Sequence, residues 1–342
     1  MRNSNRQWRL KKRPVGDIQP GDLELIEAPK PIPQAGEVLV RNVYLSLDPT
    51  NRIWMSDMEQ YMPPVVIGDV MRGGTIGIVE QSNAEGFVVG DLVMPGMGGW
   101  QDYSLGATSG AMATRKLPRV PGLPMTSFMS ALGATGATAY FGLLEIGQPK
   151  AGETVVVSAA AGAVGQIVGQ IAKIKGCRVV GIAGSDDKCR YVVKDLGFDA
   201  CINYKTEDVT KALKRECPQG IDVDFENAGG AILDAVLANI NLKARIALCG
   251  LISQYNATGP VPGPYNFTNL LMKRARVEGF IILDYFPRFD EFAMQMGQWL
   301  MAGKIKDRVD VADGLENAVT TLGKLFTGGN TGKLLVRVSE EA

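Results

Sequence analysis

The sequence predicts an α/β chain in two parts: a doubly wound parallel sheet, and a second, mainly antiparallel β domain. Three observations predict it. Residues 154–188 read TVVVSAAAGAVGQIVGQIAKIKGCRVVGIAGSDDK, a strand, a glycine turn, a helix and a second strand in immediate succession. From there to about residue 304, strand-like and helix-like stretches alternate, which is the pattern of a parallel sheet covered by helices on both faces. Residues 1–125 instead hold short strand-like runs broken by Gly and Pro. The 342 residues are enough for two domains with proper cores. The expected division is 1–125 with 305–342 for the β domain and 126–304 for the dinucleotide-binding domain.

The first domain opens with a basic cluster, Arg9 to Arg13, read as a solvated terminus. Residues 37–45 form a convincing strand, with Val38, Val40 and Val43 on it. Residues 74–79 and 91–94 are further strands. Residues 105–125 read as a loop-rich connector. Residues 126–147 read as helix, with Ala131, Gly133, Ala134, Gly136 and Ala137 permitting close packing. In the organising unit, 154–158 is a buried strand and 159–165 a small-residue loop. Residues 166–175 are a helix with Ile167, Gln170, Ile171 and Ile174 at helical spacing, stopped by Gly176. Residues 178–183 are the next strand.

Beyond it, Ser185 caps a helix over 186–196 with acidic residues in its first turn. Strands follow at 200–203, 221–226 and 245–250, and helices at 207–215 and 231–240. Residues 256–269 are a Gly/Pro-rich loop, a natural lid or substrate wall if not a plain surface loop. Residues 278–283 form a late strand, 289–302 an amphipathic helix, and 333–338 a final strand returning to the first domain.

Composition excludes several functions. Lys plus Arg and Asp plus Glu both number 36, giving zero net charge, which argues against nucleic acid as a partner. No apolar run is long enough to cross a bilayer, and no signal peptide is visible, so a cytoplasmic protein with no membrane partner is expected. Five cysteines without CxxC spacing fit free thiols in a reducing compartment, buried for packing rather than serving as nucleophiles. There is no histidine. A Ser-His-Asp hydrolase is therefore excluded, and the usual catalytic zinc ligand sets are not available, so no metal is expected.

The glycine loop carries the binding chemistry. Gly162 lacks a Cβ and lets backbone approach a pyrophosphate, Gly165 lets the helix pack on the strand, and N–H groups at the helix start attract phosphate. The usual fingerprint also wants glycine at position 160, where this chain has Ala160; a tight turn in another parallel α/β domain is the alternative. An NAD site places Asp or Glu about 20 residues further on. Here position 185 is serine, followed by Lys188 and Arg190. That favours a 2′-phosphate and hence NADPH, with Asp186 and Asp187 weighing the other way.

Several motifs run in a familiar order: VYLSLDP from Val43, GWQDY from Gly99, the long glycine-turn segment, ENAGG from Glu226, CGLISQYNATGP from Cys249, GFII from Gly279 and GGNTGK from Gly328. Across essentially its whole length the chain resembles the zinc-free medium-chain reductases of carbon–carbon double bonds. Prostaglandin and leukotriene reductases, plant alkenal double-bond reductases and bacterial NADPH-dependent curcumin reductases belong to that family, and the chain most resembles the last. The resemblance implies a Rossmann domain beside a GroES-like β domain, NADPH as cofactor, and a homodimer. It implies cofactor contacts at Gly162, Ala163, Val164 and Gly165, at Lys188 and Tyr204 for the 2′-phosphate, and at Asn227. It implies others at Cys249, Gly250, Leu251, Ile252, Ser253 and Tyr255, at the backbone of Phe280, Ile281 and Ile282, and at Asn330. GGNTGK is not a Walker A loop, since position 334 is Leu. Where many members carry tyrosine after Asp48-Pro49, this chain has Thr50, and Tyr61 is a spatial substitute to look for. Arg52 is expected in a salt bridge rather than on substrate.

The implied reaction is hydride transfer to the β-carbon of an α,β-unsaturated ketone or aldehyde. Charge then grows on the carbonyl oxygen, and without metal or histidine a neutral donor must stabilise it. Tyr255 is the candidate, since a phenol ordinarily titrates near pH 10 and keeps its proton at neutrality; the family's matching tyrosine has that role. A purely structural tyrosine is the alternative. The proton for the α-carbon comes from Tyr255 or water. Rival functions are an NADPH quinone reductase on this fold, a zinc alcohol dehydrogenase, and a non-catalytic NADPH-binding scaffold or sensor.

Overall fold

A computed structural model describes residues 4–110 and 112–341; residues 1–3, 111 and 342, which belong to the expected β domain, lie outside the described residues. The chain divides into two compact units, residues 1–129, 310–329 and 334–342 in one, and 130–309 with 330–333 in the other. Residues 305–309 and 330–333 thus belong to the second unit and 126–129 to the first, where the sequence places the boundaries at 125/126 and 304/305.

The first unit is built on a seven-stranded sheet whose longest strand is Glu37–Ser46. This strand pairs antiparallel with Thr75–Ser82, Tyr103–Ala107 and Lys333–Arg337. Strand burial follows the apolar pattern: Val38, Leu39, Val40, Val43 and Leu45 are fully buried. The basic N-terminal stretch is not a solvated tail. Ser4–Leu10 is a strand paired with Leu23–Pro29. Leu10 is buried, and Arg9 donates to Gln7 and to the Gly68 carbonyl. Arg13 donates to the Met55 carbonyl at 3.0 Å. The 105–125 connector likewise contains structure, since Tyr103–Ala107 and Arg115–Lys116 are strands.

The second unit holds a six-stranded parallel sheet. Within this unit we number the main elements α1 (Ala134–Phe141), β1 (Thr154–Val157), α2 (Ala163–Ile174), β2 (Arg178–Ala183), α3 (Asp186–Lys194), β3 (Ala200–Asn203), α4 (Val209–Glu216), β4 (Ile221–Glu226), α5 (Gly230–Leu237), β5 (Ile240–Leu248), α6 (Thr268–Lys273), β6 (Arg276–Gly279) and α7 (Phe289–Met301). The strand order is β3-β2-β1-β4-β5-β6. This is the doubly wound order of dinucleotide-binding folds, with the switch point between β1 and β4. β1 is buried at every position, as expected of a strand with helices on both faces. Val155, Val157, Val179, Val223 and Phe225 face one core, and Val156, Val180, Ile202 and Ile246 the other.

Several boundaries moved for local reasons. α2 begins at Ala163, directly after Gly162, rather than at 166. Its buried Gln166 and Gln170 are not misplaced polar residues. Gln166 Nε2 donates to the Arg308 carbonyl at 3.0 Å, and Gln170 Nε2 to the Lys306 carbonyl at 2.9 Å, so they satisfy the extended 305–309 segment alongside. The 126–147 helix is interrupted: a 3₁₀ turn at Met125–Met129, then α1, then a π turn at Gly142–Gly147. Gly133 is extended at the entry to α1, and the Ser130 carbonyl accepts from Gly133, Gly136 and the Thr135 hydroxyl. β5 ends at Leu248, so Cys249 and Gly250 leave the strand and enter the loop at its carboxyl end. β6 ends at Gly279 and a 3₁₀ turn, Ile282–Arg288, replaces the rest of the expected strand. The 256–269 loop contains the turn Tyr265–Phe267 and the start of α6.

Candidate active site

The glycine turn lies at the carboxyl end of β1, beside the switch point, where open α/β sheets bind ligands. Ala159 takes the left-handed conformation at φ 48°, which turns the chain sharply out of the strand. A Cβ at Gly165 would stand 2.9 Å from Ala160 Cα and closer still to the Ala159 carbonyl oxygen, so only glycine admits the helix this close. Gly162 differs. A Cβ there would meet only the Ala159 carbonyl, at 3.1 Å, and otherwise project into open space. Gly162 is the N-cap of α2 and no side chain caps this helix. The leading N–H groups, at Ala163, Val164 and Gly165, have no partner within the helix by its geometry. An uncapped helix start with an open cradle before it suits an anion.

The loop at 330–333 is part of this turn. Gly332 N–H donates to the Ala161 carbonyl at 2.7 Å, and Gly162 and Gly332 form a parallel bridge. Asn330 is buried, and its Nδ2 donates to the Gly332 carbonyl at 3.0 Å. This stitching explains why the segment clusters with the dinucleotide unit.

Across the switch point, Ser158 and Glu226 tie β1 to β4. Ser158 Oγ donates to Glu226 Oε1 at 2.5 Å and accepts the Asn227 N–H at 2.7 Å. Asn227 Nδ2 donates to the Ser158 carbonyl at 2.8 Å. Glu226 Oε1 also accepts the N–H groups of Ala228 (2.5 Å) and Gly229 (3.0 Å). Burial raises the Glu226 pKa above the ordinary carboxylate value, although these donors oppose the rise. Glu226 and Ser158 were absent from the expected site residues. A carboxylate ending an otherwise strand-like run, next to a glycine pair, was the signal available in the sequence.

The next loop is bonded onto this one. The Glu226 carbonyl accepts from Cys249 and Gly250, the Asn227 carbonyl from Ile252, and the Ala228 carbonyl from Ser253. Gly229, at φ 75°, leaves room for Leu251, whose Cδ2 would lie 2.8 Å from a Cβ there. The short turn Ile252–Gln254 brings Tyr255 back over the loop. Leu251 N–H donates to the Tyr255 hydroxyl oxygen at 3.0 Å, and a Cβ on Gly250 would lie 3.1 Å from it. Desolvation pushes the Cys249 thiol up to about 12, so at neutral pH it carries no nucleophilic thiolate.

A cleft of about 450 Å³ opens beyond the carboxyl ends of β5 and β6, lined by Cys249, Gly250, Leu251, Tyr255, Phe280 and Asp284 among others. The Phe280 ring packs edge-on against Phe225 at 6.1 Å and fills the space above Gly142. Its side chain is thus half-buried against the core while bordering the cleft. Asp284 is a lining residue that the sequence reading missed.

At the far end of the sheet, Lys188 lies in the first turn of α3, whose cap Ser185 accepts the Lys188 N–H at 3.3 Å. Tyr204 follows β3 and packs over Gly184, where a Cβ would lie 3.0 Å from its hydroxyl. Asp186 accepts from Asn203 Nδ2 at 2.7 Å, and Asp187 pairs with Arg190. Both carboxylates that weighed against a phosphate are engaged within the protein. The residues at the glycine turn and at this end therefore fit a dinucleotide bearing an extra phosphate.

The first unit carries the remaining named positions. The hydroxyls of Thr50 and Tyr61 are hydrogen-bonded to each other. Arg52 does not form the expected salt bridge: it is buried and donates to the carbonyls of Pro14 and Gly16 and to Ser56 Oγ. Among the described residues no group of three or more His, Cys, Asp and Glu is placed to hold a metal ion.

Comparison with known proteins agrees with this architecture. Residues 6–114 match a family described as the N-terminal domain of oxidoreductase, and residues 163–299 one described as zinc-binding dehydrogenase. The chain is 47% identical over 340 residues to the NADPH-dependent curcumin reductase of Escherichia coli, covering 98% of this chain and 97% of that one. It is 43% identical over 345 residues to the NADP(+)-dependent 2-alkenal reductase of Nicotiana tabacum, covering 99% and 98%. The crystal structure of CurA from Vibrio vulnificus in complex with NADPH superposes with a TM-score of 0.92 at 46% identity, covering 98% of this chain and all of that one. With identity of this order over nearly the whole length of both partners, the chain belongs to the double-bond reductase family of the medium-chain dehydrogenases/reductases.

Proposed function

We propose that this protein uses NADPH to reduce the carbon–carbon double bond of α,β-unsaturated ketones and aldehydes, with Tyr255 stabilising the enolate. The observation that carries the reading is the Tyr255 hydroxyl, held by the Leu251 N–H at the wall of the cleft beyond β5 and β6. The relatives named above, which reduce curcumin and 2-alkenals with NADPH, support the same chemistry.

The N–H groups of Ala163, Val164 and Gly165 hold the pyrophosphate, with Gly162 leaving room for it. Lys188 and Tyr204 hold the 2′-phosphate. Asn227, the loop from Cys249 to Tyr255, the backbone from Phe280 to Ile282 and Asn330 hold the rest of the cofactor. When bound, NADPH supplies the hydride that the substrate's β-carbon accepts. Tyr255 donates its O–H to the carbonyl oxygen as negative charge collects there, and a fixed neutral donor does this without the reorganisation that water requires. The Leu251 N–H engages the phenol oxygen and sets the direction of that donation. Glu226, bonded to Ser158, Ala228 and Gly229, positions the loops rather than touching the reacting atoms. In the first unit, Tyr61 joined to Thr50 replaces the phenol that relatives carry at position 50.

The protein works as a homodimer. β6 is the edge of its sheet, and Arg276 and Val277 on it are exposed. Nearby Leu271 and Met272 are exposed at 73% and 61%. An open strand edge flanked by apolar side chains invites a second copy across a two-fold axis.

The test is a screen of NADPH oxidation with 2-alkenals, cyclic enones, extended dienones and quinones. Enones or enals should be turned over with saturation of the double bond in the product. Quinone turnover alone would replace this reading by a quinone reductase, and no turnover with any acceptor would leave a binding protein.

A further inference from the structure

Cys189 and Cys201 pack against the core of the dinucleotide unit, and they also lie against each other. Cys189 sits in the first half of α3 and Cys201 on β3, and both are half-buried. Their sulfurs lie 2.7 Å apart, with Cys201 Sγ–H donating to Cys189. Little further approach is needed to reach the roughly 2.0 Å of a disulfide. The backbone already holds them in this relation. Asp186 and Cys189 are one helical turn apart, Cys201 and Asn203 share a face of β3, and Asn203 bonds Asp186 at 2.7 Å. The two cysteines are the second rung of the same ladder.

We propose that Cys189 and Cys201 form a reversible, hydroperoxide-sensitive dithiol site that lowers the affinity for NADPH when oxidised. The coupling to NADPH rests on the reading of Lys188 and Tyr204 given above. Cys189 is the attacking sulfur: the hydrogen bond from Cys201 lowers its pKa, against the opposing effects of burial and of the Asp186 and Glu207 carboxylates. The same bond raises that of Cys201, which keeps its proton. The Cys189 thiolate attacks one oxygen of the hydroperoxide, the O–O bond breaks, and the departing oxygen leaves as hydroxide or alkoxide. The resulting sulfenic acid is attacked by Cys201 sulfur, which gives up its proton as the sulfenic oxygen leaves as water. Two thiols lose two electrons to the peroxide, and one S–S bond forms. The other cysteines do not compete, since desolvation pushes Cys177 up to about 11 and Cys217 and Cys249 up to about 12.

The bond couples to the cofactor through position. Lys188 immediately precedes Cys189, and Tyr204 immediately follows Asn203. Drawing the sulfurs together pulls α3 toward β3 beside the Asp186–Asn203 contact, within the first turns of the helix that carry Lys188. Lys188 then shifts relative to Tyr204. Linkage makes the effect reciprocal: whatever factor the disulfide costs in NADPH affinity, bound NADPH costs in disulfide stability.

The test compares the reduced and peroxide-treated protein by thiol titration, intact mass and peptide mapping. Treatment should remove two of the five thiols and the mass of two hydrogens, and link the peptides holding Cys189 and Cys201. Cys201→Ser should instead stop at a sulfenic acid on Cys189, trapped by a dione reagent. The KM for NADPH should rise about tenfold, the scale of one charge-assisted hydrogen bond, with NADH unaffected and full recovery on reduction. Saturating NADPH should make the disulfide easier to reduce, and a full tenfold coupling corresponds to about 30 mV. Retention of all the thiols, linkage of another pair, or an unchanged NADPH KM in the linked protein overturns the proposal. Lys188→Ala in the reduced protein separates the two readings. If it leaves the NADPH KM unchanged while the disulfide still raises it, the 2′-phosphate assignment fails and the dithiol site stands.

Discussion

The Tyr255 side chain is where the proposed chemistry is most exposed to test. Its oxygen accepts the Leu251 N–H, so Tyr255→Phe removes a donor to the substrate and also leaves that N–H without this acceptor. If one donor supplies most of the enolate stabilisation, kcat should fall about 10²–10³-fold while the NADPH KM changes little. Unchanged turnover would return Tyr255 to a structural role. Asp224 poses a different residue-scale question. It is fully buried, and neither carboxylate oxygen has a hydrogen-bond partner. Desolvation, with Glu226 two positions along the strand, raises its pKa well above the unfolded value of 3.8. The folded state therefore holds a proton that the unfolded state releases. That contribution to stability is complete below pH 3.8 and is lost as the pH rises from there through the folded pKa. Asp224→Asn stays neutral throughout. Its thermal midpoint should match the native protein near pH 4 and exceed it at pH 8, by about 2–4 °C for each kcal/mol recovered. Parallel curves across that range would refute a protonated Asp224. The sequence contained both residues, yet only Tyr255 stood out, because nothing in IDVDFE says that the two faces of that strand are both buried.

At the scale of the element, the β1–α2 turn separates two uses of glycine that the sequence treats alike. Gly165→Ala places a Cβ 2.9 Å from Ala160 Cα, on backbone that cannot move independently of β1, and overpacking of this kind costs about 1–3 kcal/mol. Gly162→Ala meets only one backbone oxygen, at 3.1 Å, and otherwise projects into the cradle. The first variant should unfold at lower temperature. The second should keep its thermal midpoint and raise the NADPH KM several-fold. Equal losses of stability would show that the open side of Gly162 is not a ligand surface. The helical reach of α2 was readable from Ile167, Ile171 and Ile174, but its start was not. Ala163 and Val164 fit loop or helix equally, and the uncapped Gly162 decides it only once the strand before it is in place.

At the scale of the whole molecule, the exposed edge β6 predicts assembly. A homodimer through this edge should show about twice the 36.7 kDa chain mass in sedimentation equilibrium. A lysine in place of Val277 should shift the population toward monomer, because a desolvated charge at a strand junction is costly. A native chain sedimenting at its own mass at micromolar concentration would remove the proposal. The dinucleotide sheet itself was legible in the alternation after residue 154. The N-terminal hairpin was not, because SNRQWRL in the strand Ser4–Leu10 puts the amides Asn5 and Gln7 at buried positions where a strand pattern wants apolar residues. Its pairing partner Leu23–Pro29 supplies the missing reason.

The two-part α/β organisation, the glycine turn and the absence of any histidine chemistry follow from the order of residues along the chain. These are local properties of periodicity and residue type. Folding in three dimensions makes the 330–333 loop bridge Gly162, Ser158 and Glu226 bind the switch-point loops together, Thr50 meet Tyr61, and Cys189 meet Cys201. Each joins residues distant along the chain or on different elements, through contacts that no local pattern encodes. Strand order and the packing of helices on the sheet bring them within bonding distance.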